Sequence, residues 1–225
     1  MEEIVFPDNL KAAYQTALQR ARDELRRLSP VKVAECSGAQ LTDISGRTLR
    51  IALLDRVFEI DIDSGSVLDT SSLEPASIYE SLVLIHYLIH ADGSKLTHEW
   101  VPYRDLPDGQ VYYRNFLKRV NRPLKRVMDG AAAPFFSWLS ILPGEPADYG
   151  DFSYVLNVLP GVPMLFIYWQ GDEEVDSENS VLFDSSAPNS LPMEDLVVLA
   201  EIICYHLLGS FRKQAVLKAP PSTQT

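Results

Sequence analysis

Cysteine is nearly absent. Cys36 and Cys204 are the only two in 225 residues, and no C-x-x-C pair occurs. That excludes a disulfide framework, a cysteine-based zinc site and an iron–sulfur cluster. Long apolar runs are missing too: none approaches the ~20 residues that a membrane helix needs. The opening MEEIVFPDNL is acidic and has no apolar signal core, so a cytoplasmic chain without a membrane partner is expected. G-x-S-x-G, the P-loop and G-x-G-x-x-G do not occur, which removes the nucleophile elbow and the common phosphate cradles and leaves catalytic residues unassigned. The fourth absence is the largest. From Val127 to Phe211, 85 residues contain no lysine or arginine but thirteen Asp and Glu. Such a segment cannot neutralise its own carboxylates; solvent, another part of the chain, a cation or a partner must.

The net charge of −11 is therefore uneven. Residues 1–126 are almost balanced, with 17 basic against 18 acidic side chains. An acidic half disfavours a nucleic-acid partner, which needs a basic face. At 46% apolar residues the composition is ordinary for a globular chain, and a single domain over 1–218 is expected, with PPSTQT in a disordered 219–225 tail.

Leu10, Ala13, Tyr14, Ala17, Leu18, Ala21, Leu25 and Leu28 recur at three and four residues and predict an amphipathic helix over 9–28, stopped by Ser29-Pro30. Strands are predicted at 49–54 and 57–62, a turn at Asp63–Ser66 with a short strand after it, and a helix at 75–91. Residues 110–128 read as a helix interrupted at Pro123, and 133–142 as a short helix. Tyr154–Leu159, Pro163–Gln170 and Ser180–Asp184 read as three strands. The middle one is apolar almost throughout, which suits a central position. A helix is predicted over 192–210, with Gly209 at its end. Helices and strands fall in blocks rather than in βαβ alternation. The fold class is therefore α+β: a mixed or antiparallel sheet, from the N-terminal hairpin and three C-terminal strands, packed by several helices.

Four groups could carry chemistry. Trp169, Gly171, Asp172 and Glu173 open a loop with five carboxylates within Asp172–Glu178, a density of hard oxygens that suits Ca²⁺ or Mg²⁺. The spacing is not that of an EF-hand, and a solvated acidic turn explains the same residues. Asp184 ends the next strand and could meet Glu194 and Asp195, ten residues on, as a cation or acid/base cluster; local turn and helix capping explain them equally. His86 and His90 share a helix face and, with His98-Glu99, have the residue types of a metal site, although a satisfied core histidine competes. Arg114, Lys118 and Arg122 form a helical stripe, which reads as an anion patch or as internal counter-charge for the acidic half. Tyr87, Trp100, Phe166 and Trp169 could line a ligand pocket.

The stretches LVLIHYLIHADGSKLTHEWVPYRDLPDG, VPMLFIYWQGDEEVDSENSVLFDSSA and LPMEDLVVLAEI resemble domain of unknown function 3786, a family found chiefly in anaerobic bacteria and archaea. The resemblance runs from about Ala21 to Leu208, and the W-x-G-D-E-E and L-F-D-S-S segments are its most specific parts. It implies a setting of corrinoid and iron–sulfur metabolism and no particular activity. Some relatives carry a cysteine-rich cluster-binding module, which these residues lack. Relatives often have histidine where this chain has Asn189.

The expectation is a non-catalytic protein that binds a small molecule, a cofactor or a protein partner and assists anaerobic corrinoid or metalloenzyme metabolism. One alternative is a divalent-metal-dependent enzyme using Asp172, Glu173, Asp184, Glu194 and Asp195. The other is an interaction module whose acidic face docks a basic partner. Cofactor, metal and oligomeric state stay open at this level.

Overall fold

The computed structural model describes residues 8–42 and 46–218; the 219–225 tail lies outside them. Helix α1 (Asp8–Leu25) is followed by α2 (Pro30–Ser37), which the sequence reading missed. Helix α1 ends at Leu25 in tightening turns (Arg27 N–H to Glu24 O, Leu28 N–H to Leu25 O), short of the predicted residue 28, and Pro30 opens α2, because its fixed φ and missing N–H suit a first helical turn. Gly38 closes α2 in the left-handed conformation (φ 72°) and donates its N–H to Ala34 O.

An antiparallel sheet follows, in the order β1 (Gln40–Leu41), β2 (Thr48–Leu53), β3 (Arg56–Asp61), β4 (Val67–Asp69). Helix α3 (Ile78–His90) starts with a capping box between Ser77 and Glu80. Glu80 and Asp69 both pair with Arg56, tying the hairpin to the helix. A second antiparallel sheet has the order β5-β9-β8-β7-β6, built from β5 (Trp100–Pro102), β6 (Gly144–Pro146), β7 (Phe152–Leu159), β8 (Val162–Trp169) and β9 (Glu178–Asp184). The apolar run in β8 is central in it, as its composition predicts. The two sheets meet where Leu54, buried and left-handed at φ 55°, donates its N–H to Val158 O at 2.8 Å. The architecture is α+β. Among the described residues, no helix is long and apolar enough to cross a membrane.

Between β5 and β6 in sequence runs one long helical rod: α4 (Gly109–Phe116), a π-helical turn (Leu117–Asn121) and α5 (Arg122–Leu139). Pro123 does not end the helix. A proline ring collides with the carbonyl four residues back. Here the preceding turn is widened, with Arg122 N–H donating to Leu117 O across five residues. A second adjustment, the break at Ala131 (φ −156°, ψ 42°), precedes Pro134.

The wide turn also sets which residues face inward. In an α-helix, positions four apart drift by about 40° per step, hence about 120° over twelve residues. A π turn absorbs about one extra residue and reduces that drift to roughly 20°. Phe116, Val120, Leu124 and Met128 accordingly stay in one row, 2%, 1%, 0% and 1% exposed. On the rod's flank, Arg119 reaches the buried Glu201 of α6 (Met193–Lys218) at 3.1 Å. Burial pushes the Glu201 carboxyl up and Arg119 opposes it. Helix α6 continues past Gly209, because Phe211 packs edge-on against Phe135 and beside Trp138.

Removing Arg119 would strand a buried carboxylate. Arg119→Ala should therefore lower the unfolding free energy in urea by about 3 kcal/mol. Arg122→Ala, on the exposed side of the same rod, should stay within about 0.5 kcal/mol.

Candidate functional site

The antiparallel β8–β9 pair carries two candidate regions at its opposite ends. Trp169 stands opposite Glu178 at the loop end, and Phe183 opposite Met164 near the other. Beyond that end, Trp100 stands opposite Asp184.

At the loop end, Gly171–Ser177 folds back on itself. Asp172 N–H donates to Val175 O, and Asp172 Oδ1 accepts the N–H groups of Glu174 and Val175 at 2.8 and 2.9 Å. These two bonds hold the Asp172 carboxyl below its ordinary range. Gly171 is required by contact: a Cβ there would lie 2.5 Å from Ser177 N. The base of the loop is clamped to α5. Ser177 donates to Asp129, Lys125 donates to both Ser177 and Asp129, and Tyr168 donates to Asp129 at 3.0 Å. Nearby, Asn121 and Asn179 exchange side-chain-to-backbone hydrogen bonds. The sequence reading missed this anchor. Its one local trace is the four-residue spacing of Lys125 and Asp129.

Above the clamp the loop is unpaired. None of Asp172, Glu173, Glu174, Asp176 and Glu178 forms an ion pair among the described residues. Val175 is 65% and Trp169 39% exposed beside them. The basic stretch before the acidic half supplies only part of a counter-charge: Arg119 goes to Glu201 and Lys125 to Asp129.

At the opposite end Asp184 is 0% exposed. Its carboxylate accepts from Thr97 N–H and Oγ1–H, His98 N–H, and Ser186 N–H and Oγ–H, at 2.5–3.0 Å. Burial disfavours its charge, but the Ser186 and Thr97 donors outweigh that and bring it down to about 2. Its lone pairs are occupied by the 97–98 segment, in which His98 is left-handed (φ 58°). Asp184 thus pins the connection between α3 and β5 rather than meeting Glu194 and Asp195.

Asp195 meets His86 instead. His86 Nδ1 lies 2.7 Å from Asp195 Oδ2, joining α3 to the first turn of α6. The carboxylate is buried and the imidazole partly exposed. His90 stacks edge-on at 5.8 Å between ring centroids. His98 belongs to the Asp184 region, so the three histidines do not share one centre. Glu194 is exposed. Among the described residues no group of three or more His, Cys, Asp or Glu could hold a metal ion.

The four aromatics do not share a wall. Tyr87 is buried and its hydroxyl donates to Ser37 O while accepting Gly161 N–H; burial pushes it up to about 12. Phe166 is in the core between sheet and helices. Trp100 packs with Val155, Leu165 and Ile167 on the other sheet face. A small concavity lies elsewhere, between Leu28, Val33, Cys36 and Leu88. It holds ≈ 150 Å³, less than the roughly 300–1,000 Å³ of small-molecule pockets. Asn189 donates its side-chain amide to Ser94 Oγ at 3.3 Å.

The family model described as domain of unknown function (DUF3786) matches residues 29–206. That span holds both sheets, the rod and both ends of β9. No curated protein and no solved structure matches the chain.

Because Asp184 titrates lower in the folded chain than its ordinary 3.8, its contribution is fully present above pH ~4 and is lost as pH falls toward ~2. A shift of that size corresponds to about 2–3 kcal/mol. Urea unfolding of Asp184→Asn at neutral pH should show a loss of that order. Between pH ~4 and ~2 the variant should lose less stability than the parent.

Proposed function

The chain belongs to the family of domain of unknown function DUF3786, and on that premise we propose that it is a non-catalytic, cytoplasmic accessory protein that binds a basic protein partner through the Gly171–Ser177 loop. One observation carries this reading. Four carboxylates on a folded, clamped loop, and Glu178 where it enters β9, form no ion pair among the described residues and stand beside an exposed valine and tryptophan. A loop that is ordered before binding loses little entropy on docking. Half-exposed tryptophan is a frequent anchor of interfaces, and unpaired charge around it steers a partner of opposite sign. The sign of the loop argues for a protein rather than a nucleic acid. The small concavity and the dispersed aromatics favour a macromolecular surface over an enclosed small-molecule site. In this reading the partner is a protein of anaerobic corrinoid or metalloenzyme metabolism, a setting that only the family resemblance supports.

The divalent-metal enzyme is the weaker reading, because Asp184 and Asp195 are each committed to other groups and Asp172 caps its own turn.

The test is affinity capture from the chain's own host, read by mass spectrometry, with Glu173→Gln, Glu174→Gln and Asp176→Asn combined. Asp172 is kept because it folds the loop. A specific partner should be retained at about 0.15 M ionic strength and lost at about 1 M. It should fall roughly tenfold with the loop variant and remain with Glu145→Gln, an exposed acid elsewhere on the sheet. Retention that ignores both salt and loop would overturn the proposal. A stoichiometric metal in the same native preparation would favour the enzyme.

A further inference from the structure

The rod that supports the acidic loop carries the opposite charge on its outer side. Arg114, Lys118, Arg122 and Arg126 are all exposed, and none of their side chains forms a hydrogen bond or ion pair among the described residues. They stand two positions from the buried row Phe116, Val120, Leu124 and Met128, hence on the face turned away from the core. The π turn that keeps the buried row straight keeps this row straight as well. Four cations therefore line one edge over about 18 Å, spaced about 6 Å apart. In an unbroken α-helix the same four would spiral through about a third of a turn.

Beside this row lies the acidic loop. Lys125, between Arg122 and Arg126 in sequence, donates to Ser177 at the loop's base, and Asn121 is bonded to Asn179 just past it. The molecule thus presents a positive edge and a negative loop as neighbours on one surface, each without internal partners. Val111, 71% exposed, stands at the start of the row, and Val175, 65% exposed, at the tip of the loop. A patch with both signs side by side is complementary to its own copy turned about a two-fold axis.

We propose that the occupant of this surface is a second copy of the chain. The Arg114–Arg126 row of each copy lies along the Asp172–Glu178 loop of the other, forming an isologous, salt-sensitive dimer. This rests on the reading of the loop as a docking surface and names what it takes: the basic edge of a second copy, in a chain that is acidic as a whole. The net charge of −11 on each copy opposes association at long range. Screening over about 8 Å at 0.15 M ionic strength removes most of that repulsion but leaves contact pairs. An acidic macromolecule along the row is the competing occupant; unlike a second copy it would cover the cations and leave the acidic loop without a partner.

The test uses the full chain and two charge-reversed variants. The first is Arg114→Glu, Lys118→Glu and Arg122→Glu together; the second is Glu173→Lys, Glu174→Lys and Asp176→Lys together. Sedimentation velocity at about 0.15 M ionic strength should show a parent dimer that dissociates at about 1 M. Each variant alone should be monomeric or at least roughly tenfold weaker in self-association, with circular dichroism like the parent's. An equimolar mixture should form a heterodimer, because each reversed patch then meets its complement. A parent that stays monomeric up to its solubility limit overturns the dimer, as does a parent dimer indifferent to both reversals or a mixture of two folded variants that stays monomeric. If the parent is monomeric while loop-dependent capture of a basic protein persists, only the second copy falls. If that capture also fails, the docking reading falls with it.

Discussion

Pro123 is the constraint on which the arrangement turns. It sits in the middle of a helical rod that has to cover the five-stranded sheet, and a regular helix cannot hold it without a collision at the carbonyl four residues back. Widening the turn at Leu117–Asn121 removes the collision and changes the angular register of everything after it. With that register, Leu124 and Met128 fall in line with Phe116 and Val120, Arg119 points at Glu201, and Lys125 meets Asp129 and Ser177. One proline thereby decides which cations of the basic stretch are satisfied internally and which are left on the surface.

That division gives the base-free segment a more specific meaning. Its carboxylates do not share one fate. Asp129 and Glu201 are paired with the rod, Asp195 with His86, and Asp184 is saturated by backbone and hydroxyl donors. The uncompensated charge is concentrated in one loop whose shape is fixed by its own Asp172 and by the absence of a side chain at Gly171. The acidity is thus densest at one strand connection, with Glu145, Asp148, Asp151 and Glu194 spread singly outside it.

The regular part of the fold was legible because periodicity survives in long elements. Helix α1, the β2–β3 hairpin, the central place of β8 and most of α6 follow from spacing and apolar runs. Prolines were ambiguous: Pro30 starts a helix rather than only marking the end of one, while Pro123 and Pro134 are absorbed by a wide turn and a break that no local pattern announces. Strands β1, β5 and β6 have two or three residues, too few for a period of two to show. The chain was expected to turn after residue 54, but Leu54 is itself in the turn, held by burial and by Val158. Of the site, the acidic loop could be read directly. His86 with Asp195, and Asp184 with Thr97 and His98, join residues 86–109 positions apart, and nothing in local spacing reports such pairs.

Strand β9 begins at the acidic loop and ends at Asp184, with six consecutive register pairs to β8 between them. A partner pulling on the loop would draw β8 and β9 together, because the loop joins them, and would load the ladders of β9 to β5 and of β8 to β7 along their length. Under such a load the ladder bonds are sheared together and share the force, whereas a strand peeled from its end breaks them one at a time. At the far end the pull arrives at a buried carboxylate held by five hydrogen bonds. The loop is therefore attached to the rest of the chain as a tethered handle, able to carry tension into the sheet without unravelling it.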